Sequence, residues 1–466
     1  MTEKEMTKDV EVLLGNPKKA ILLMAIPIVI AMIAETLNNL IDAFWVVGLG
    51  PNALAAVGFV FPLFFIMIGI GNGIGVGASS AIAKRIGKGD KLGADNIAAQ
   101  AIVLTIISSI LIAVFLLLIQ RPLLMVLGAG DTIEFCIDYA TPIILLSPIV
   151  LLNAVFSNLL RSEGAAKKAM NTQILAAVIN MVLDPFLIYD YGFGMGIAGA
   201  AWATVLAMLF SLLVMIYWFF VKRNTYIDIK LSGFKFDKEL DADILRVGIP
   251  ASSQMIFMSL IAMVMNAIII IGGGTNGVAI YSSTWRLIQI LMIPLMAVGS
   301  AIVPVCAAAY GARRYDKVKI AYNYSIKISI VMMVIFSVLT ALFAEYLVVI
   351  FTYSESTAVL KDDMVLCLRL FCIFLPFTAW GFITSGFFQS LGMGMKSLIS
   401  IVVWSGIQAP VCYVLVVTIG TLSSVWYGIV ITEIIGPIIM GIWGMMVMRA
   451  LMKGYKKPTE GPFVDG

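Results

Sequence analysis

The sequence predicts an all-α membrane protein with twelve transmembrane helices in two six-helix lobes. The first reason is composition: 61% of the 466 residues are apolar and only 12% are charged, with a mean hydropathy of +1.02. A soluble domain is much less apolar. Stretches such as 101–119 and 326–343 are almost free of charge and long enough to cross a hydrocarbon core of about 30 Å as helices. The other two reasons are the placement of basic residues and an internal repeat.

Apolar runs separated by charged residues, glycine and proline predict where the helices lie. The predicted spans are 20–48, 53–83, 96–119, 133–160, 169–189, 196–221, 247–271, 277–308, 320–343, 359–388, 397–418 and 422–448. The N-terminal segment is polar and lacks the basic start, apolar core and cleavage site of a secretory signal. We therefore expect the first helix to be retained.

Basic residues concentrate on one side of the predicted spans. If both termini are cytoplasmic, the outer loops hold little beyond Arg121 and Lys361. The cytoplasmic segments hold, among others, Lys84, Arg85, Lys167, Lys168, Arg313 and Arg314. This positive-inside pattern predicts a multi-pass protein of the cell membrane with both termini cytoplasmic. Orientation in the lipid bilayer, the expected partner of the chain, thus explains the net charge of +4, and no nucleic-acid partner is expected.

The two halves of the chain repeat one another. A shift of 224 residues places Gly50 on Gly274 and Gly87 on Gly311, and a shift of 228 places Ser157 on Ser385. The predicted organisation is a cytoplasmic segment at 1–19, a first lobe at 20–221, a cytoplasmic linker at 222–246, a second lobe at 247–449 and a cytoplasmic tail at 450–466. Parallel repeats related by a pseudo-two-fold axis along the membrane normal are typical of carriers, with a cavity at the repeat interface.

Polar side chains form three stripes in the first half, although an ionisable group at the centre of a membrane helix costs about 2.5–3.5 kcal/mol on insertion scales. Helical spacing places the members of each stripe on one face. The first stripe contains Glu35, Asn38, Asn39 and Asp42, the second Gln173, Asn180 and Asp184, and the third Asn153, Ser157 and Asn158. The three stripes predict one shared cavity.

Asp42, Asp184 and Thr204 are predicted to lie at one depth, about 8–12 Å below the outer surface at 1.5 Å of rise per residue. With Asn180 they offer hard oxygen ligands suited to sodium, or a carboxyl pair that can share a proton. The chain has no histidine, so any proton chemistry falls to carboxylates. No cofactor is expected. The alternative is that these residues only tie helices together, which is as good an interpretation for Asn153, Asn158 and Gln173.

The second half did not keep the acids, since the counterparts of Asp42 and Asp184 are Asn266 and Cys412. It contains Arg286, Arg369 and Glu433 at comparable depth instead. We expect these three to neutralise one another, with a second coupling site as the alternative. The coupling cation is therefore expected to bind in the first half.

Pro27 removes a backbone hydrogen bond within the first span. It is either an inert kink or a hinge that bends the helix according to the occupancy of Asp42.

At these positions the chain resembles the multidrug and toxic compound extrusion (MATE) family, and in particular its archaeal and DNA-damage-inducible branch. The resemblance covers nearly all of the chain. It rests on the first span from Pro27 to Asp42, the turn Arg161-Ser-Glu-Gly164, the motif Asn180-x-x-x-Asp184-Pro185, and Gly196-x-x-Gly199-Ala-Ala-x-Ala-Thr204. It implies two lobes forming a V-shaped cleft, Asp42, Asn180, Asp184 and Thr204 as the cation site, and a bending first helix. Glu35 departs from the family, in which a glutamine is often found there.

The expected function is antiport, in which lipophilic, cationic drugs or toxic metabolites leave the cytoplasm in exchange for protons or sodium ions. Glu35, Asn38, Asn39, Asn153, Asn158 and Gln173 are expected to line the substrate cavity. The protein is expected to work as a monomer. One alternative is a flippase for lipids or lipid-linked sugars, which a strongly basic cavity would favour. A channel is a further alternative, and so is a membrane enzyme, although the sequence shows no histidine, metal cluster or nucleophile triad. The absence of a nucleotide-binding GxxxxGK motif argues against direct ATP drive by this chain.

Overall fold

The computed structural model describes residues 6–353 and 355–455, and this part of the chain contains helices and no strands. The helices are α1 (Lys8–Leu14), α2 (Pro17–Val47), α3 (Pro51–Lys88), α4 (Lys91–Val126), α5 (Ile133–Leu145), α6 (Ser147–Ser162), α7 (Ala166–Ile188), α8 (Gly196–Ile216), α9 (Lys238–Gly311), α10 (Tyr315–Leu342), α11 (Ala344–Val348), α12 (Glu355–Ala358), α13 (Lys361–Ser390), α14 (Gly394–Ile419) and α15 (Leu422–Met452). A π-helical turn, Tyr217–Lys222, continues α8.

Helix α9 contains two membrane spans in one run of 74 residues. At 1.5 Å per residue it would measure about 110 Å, far more than one crossing needs. Gly274 divides it, because its backbone has φ 58° and ψ −151°, a conformation open essentially to glycine alone. The predicted spans 247–271 and 277–308 correspond to the two parts.

The described helices confirm the predicted fold class. Ten of them are long and apolar enough to cross a membrane. Helix α5, preceded by a short 3-10 turn, and α6 form one more span that is bent by 54°. Counting α9 as two spans gives twelve. The boundaries of the lobes stay a prediction, and residues 1–5 and 456–466 of the expected cytoplasmic ends lie outside the described residues.

Glycines bring the two halves of the chain into close contact along α3 and α9. A Cβ atom on Gly87 would overlap the carbonyl group of Ala308, and one on Gly311 would overlap the carbonyl group of Lys84. These two contacts are related by the shift of 224 residues, so they are the same contact made twice. We call the packing around Gly87 and Gly311 the glycine seam.

Polar contacts support the glycine seam at the same end of the molecule. Ser80 Oγ donates a hydrogen bond of 2.7 Å to the carbonyl oxygen of Gln389. Arg85 Nη2 lies 3.5 Å from Asp243 Oδ2 in the other half. The two halves therefore meet at the end that the sequence predicts to be cytoplasmic.

A buried carboxyl group holds the connector between α8 and α9. Glu163, which follows α6, is 0% exposed, and its Oε2 accepts hydrogen bonds from the backbone N–H groups of Tyr226 (2.8 Å) and Ile227 (3.1 Å). Lys168 also reaches the connector, since its Nζ donates to the carbonyl oxygen of Asn224 at 2.9 Å. Burial raises the pKa of the Glu163 carboxyl from 4.5 to about 8. Between these two pH values the folded protein therefore keeps the proton on Glu163, whereas the unfolded chain loses it.

We expect the wild-type protein to lose stability as pH rises from 4.5 to about 8, because folding must keep Glu163 protonated while the unfolded chain is ionised. Glu163→Gln should flatten this part of the pH dependence. Thermal unfolding of the purified protein across a pH series measures both. Glu11→Gln, on the exposed side of α1, is the matched control and should keep the wild-type slope. An unchanged slope in Glu163→Gln would show that the stability change comes from other groups.

Candidate functional site

The predicted acids of α2 and α7 come together in the structure. Asn38 Nδ2 donates to Asn180 Oδ1 at 2.8 Å, and Asn180 Nδ2 donates to Asp184 Oδ1 at 3.0 Å. The Asp42 and Asp184 carboxyl groups lie close enough to interact electrostatically. Two carboxylates buried this close repel each other, so a proton or a cation that neutralises one of them is favoured. We call Asn38, Asp42, Asn180 and Asp184 the acid site.

The acid site has oxygen atoms without partners. Asp42 Oδ1, Asp184 Oδ2 and Asn38 Oδ1 are buried and accept no hydrogen bond, although Asp184 as a residue is 0% exposed. Buried oxygen atoms of this kind are costly unless something binds them. Carboxylate and amide oxygens are hard ligands, so the donor set fits a proton or a sodium ion. Among the described residues, no cluster of three or more histidines, cysteines, aspartates and glutamates is placed to hold a metal ion.

Tyr139 of α5 is a member of this region that the sequence did not reveal. It is half-buried and lies within electrostatic range of both Asp42 and Asp184. A tyrosine in an apolar span carries little signal, because aromatic residues are common in membrane helices.

The other predicted site residues bond mainly to nearby backbone. Thr204 Oγ1 donates to the carbonyl oxygen of Ala200 in its own helix at 3.1 Å. Asn153 Nδ2 donates to the carbonyl oxygen of Met208 at 2.9 Å, and Asn158 Nδ2 to that of Ala154 at 2.9 Å. Asn39 is exposed. These bonds join α6 to α8 and satisfy helix backbone, which is the structural alternative considered for Asn153 and Asn158.

Glu35 has a charged neighbour that the sequence did not reveal. It is exposed on α2 and interacts electrostatically with Arg161 at the end of α6. Arg161 Nη2 lies 3.3 Å from Gln173 Oε1, and Gln173 Nε2 lies 3.4 Å from Ser157 Oγ. Two of the predicted stripes thus meet here. The region carries a positive as well as a negative charge.

Pro27 lies in the interior of α2, which the structure shows as one helix from Pro17 to Val47. Because proline has no N–H group, the carbonyl group of Leu23 lacks its usual helical donor. The hinge stays a prediction.

The expected neutralisation of the second-half charges is wrong. Arg369 Nη2 pairs with Glu345 Oε1 at 3.0 Å, in an exposed bridge, and Arg286 is exposed as well. Glu433 is only 8% exposed and accepts a hydrogen bond of 3.1 Å from Gln408 Nε2. The structure thus pairs Arg369 with Glu345 and Glu433 with Gln408, and shows no ion pair among the three predicted residues.

Twelve spans in two repeated halves, with buried polar groups inside the first, define a membrane transporter. The chain belongs to the MatE family, since the family profile matches residues 27–186 and 250–414. It is similar to the multidrug export protein MepA of Staphylococcus saprophyticus, with 24% identity over 421 residues, covering 88% of this chain and 89% of the relative.

Two solved structures share the whole architecture. One is described as an outward-facing conformation of a multidrug resistance MATE family transporter, with 42% identity and a TM-score of 0.91, covering 96% of this chain and 99% of that one. The other is a MOP superfamily transporter from Pyrococcus furiosus whose reversed binding-pocket polarity is said to suggest a different function. It has 41% identity and a TM-score of 0.92, again covering 96% and 99%.

Proposed function

We propose that the protein is an antiporter that exports lipophilic, cationic compounds in exchange for protons or sodium ions. The observation that carries this proposal is the acid site. There the carboxyl groups of Asp42 and Asp184 interact, and each has a buried oxygen atom without a hydrogen-bond partner. A cation bound there neutralises a charge that is costly to bury. The site thus has a physical reason to bind an external cation, and the name of the relative, multidrug export protein, supports drugs as the exported compounds.

Coupling follows from the position of the acid site between α2 and α7. When the carboxyl pair holds a cation, α2 can pack tightly on α7; when it loses the cation, repulsion between the carboxylates opposes that packing. Pro27 supplies a weak point in α2 at which the change can be absorbed. Cation binding would then close the part of the cavity in which the substrate binds. The substrate would therefore leave as the external cation enters.

The glycine seam supports alternating access. It joins the halves at the predicted cytoplasmic end, which corresponds to a transporter open to the outside, as in the outward-facing relative. In the proposed cycle the seam separates to admit substrate from the cytoplasm. We place both termini in the cytoplasm, the protein in the cell membrane, and Thr204 near the acid site as a further ligand for sodium. One chain contains both lobes and is proposed to suffice.

The test is efflux of a fluorescent lipophilic cation from proteoliposomes under an imposed proton gradient, an imposed sodium gradient, or neither. We expect efflux to follow at least one of the two gradients and to stop when it is collapsed. Glu345→Gln, which removes an exposed surface bridge, is the matched control and should transport like the wild type. Gradient-independent efflux would contradict antiport.

A lipid or lipid-linked sugar flippase is the second candidate. The positive charge of Arg161 beside Glu35 and the reversed pocket polarity described for the Pyrococcus furiosus relative favour it. The same vesicles with a fluorescent anionic lipid separate the two candidates. Translocation of the lipid without any gradient-driven efflux of the cation would favour the flippase.

A further inference from the structure

The second half contains a buried acid at a place that mirrors the acid site. A shift of 228 residues puts Gln408 on Asn180, Cys412 on Asp184 and Thr432 on Thr204. Glu433 is the next residue after Thr432. In the first half the amide of Asn180 donates to Asp184 on its own helix, whereas in the second half the amide of Gln408 donates to Glu433 on the neighbouring helix α15. The repeat therefore keeps an amide–carboxyl pair, although a different helix supplies the acid.

The surroundings of Glu433 do little to stabilise a negative charge. The structure shows one hydrogen-bond donor to it, Gln408, which is itself only 8% exposed. The ring of Tyr281 and the thiol of Cys412 lie within electrostatic range. Tyr281 in turn stacks on Trp426, with ring centroids 6.0 Å apart. A carboxylate held by one amide beside aromatic rings is poorly solvated.

The titratable groups around Glu433 and its neighbour Tyr281 come from three other helices. Tyr281 belongs to α9, Cys367 to α13 and Cys412 to α14. A phenol and two thiols are neutral at physiological pH. Thr284, one turn from Tyr281 on α9, is 0% exposed, and its hydroxyl makes no hydrogen bond that meets normal geometry, although the Cys367 thiol lies beside it. The region therefore also holds an unsatisfied polar group and offers Glu433 no positive charge from these neighbours.

We propose that Glu433 is a proton-binding site of the second lobe, distinct from the acid site of the first. The carboxylate takes up one proton to become a neutral acid, whose O–H can donate to Gln408 Oε1 once the amide has turned over. A proton fits better than a metal ion, because one carboxyl group, one amide and aromatic rings supply too few oxygen ligands for sodium or calcium. Proton release requires hydration of the region between α14 and α15, which couples the site to the packing of the second lobe.

The binding of the proton stands on the structure of this site alone, whereas its part in transport rests on the proposed antiport. If antiport holds, the transporter carries the coupling cation at the acid site of the first lobe and a proton at Glu433 in the second. Loss of Glu433 then removes one proton from each exchange cycle without removing the acid site.

Infrared difference spectroscopy of the purified protein, titrated from alkaline to acidic pH, tests the proposal directly. A band from a protonated carboxyl group should appear in the wild type and lose one component in Glu433→Gln. Asp184→Asn should keep that component, which separates it from the acid site, and Glu345→Gln is the matched control at an exposed glutamate. Gln408→Leu removes the hydrogen-bond partner but keeps the acid, so it should shift the frequency of the same component even if Glu433→Gln folds poorly.

Either of two results overturns the proposal. The first is a spectrum of Glu433→Gln that is identical to the wild type across the titration, and the second is a component whose frequency does not change in Gln408→Leu. Failure of the antiport proposal gives a different result. Gradient-driven efflux would then be absent from wild-type vesicles, while the infrared component of Glu433 would still be present. With efflux present, the number of protons exchanged per substrate should fall by one in Glu433→Gln.

Discussion

Asp184→Asn is expected to reduce gradient-driven efflux to the rate of vesicles without protein. Asparagine keeps the size of the side chain and can still bond to Asn180, which holds Asp184 at 3.0 Å. It cannot take up a proton, and it removes the negative charge that a sodium ion would need. The substitution therefore removes coupling while leaving the packing of α2 on α7 in place. Asp42→Asn should have the same effect, because the two carboxyl groups share one site.

Two measurements separate lost coupling from lost folding in Asp184→Asn. Substrate binding and the thermal midpoint of the purified variant should stay close to those of the wild type. Asp190→Asn, in the exposed loop just after α7, is the matched control and should transport normally. Wild-type efflux in both Asp42→Asn and Asp184→Asn would remove the acid site from the transport mechanism.

Gly87→Val is expected to hold the glycine seam open and to abolish transport. The added side chain would overlap the carbonyl group of Ala308, and overpacking of this kind costs about 1–3 kcal/mol or more. The cost falls only on the state in which the seam is closed. A shift of that size changes the ratio of two conformations by about 5- to 150-fold. The variant should therefore populate a state open at the predicted cytoplasmic end.

Spin labels at Lys88 and Lys319, both exposed near the seam, measure its opening as a distance distribution. We expect the distribution to move to longer distances in Gly87→Val and in Gly311→Val, which disrupts the symmetry-related contact. Gly58→Val is the matched control, since a Cβ atom at Gly58 meets no atom within 4 Å. An unchanged distribution together with normal efflux would show that the seam does not take part in gating.

The sequence predicted the fold class because membrane spans leave a strong signal in composition and basic charge. It also predicted that Asp42, Asn180 and Asp184 would meet, since their helical spacing gives both face and depth. The break at Gly274 was predicted as a gap between two spans, although α9 is assigned as one helix through that residue. Its conformation depends on one glycine that spacing does not distinguish from the others.

The failures of sequence reasoning share a physical cause. Depth along a helix can be counted from the chain, but the direction in which a helix faces its neighbours depends on packing. Arg286, Arg369 and Glu433 were paired by depth alone, and the structure separates them. Tyr139 and Arg161 were missed for the converse reason, because they approach Asp42 and Glu35 from helices whose relative rotation the sequence does not specify.

The glycine seam also bears on how fast the transporter can turn over. Its central contacts join glycine to backbone carbonyl groups that are already bonded within their own helices, so separation there breaks no covalent or ionic link. The polar contacts beside it include the bond from Ser80, the partly exposed pair of Arg85 and Asp243, and Lys84 over the ring of Tyr310. Opening such a surface costs mainly dispersion energy and the hydration of small groups. The slow step of the cycle should therefore lie in cation release or substrate exchange, and the turnover rate should respond to ion concentration more than to substitutions of Arg85.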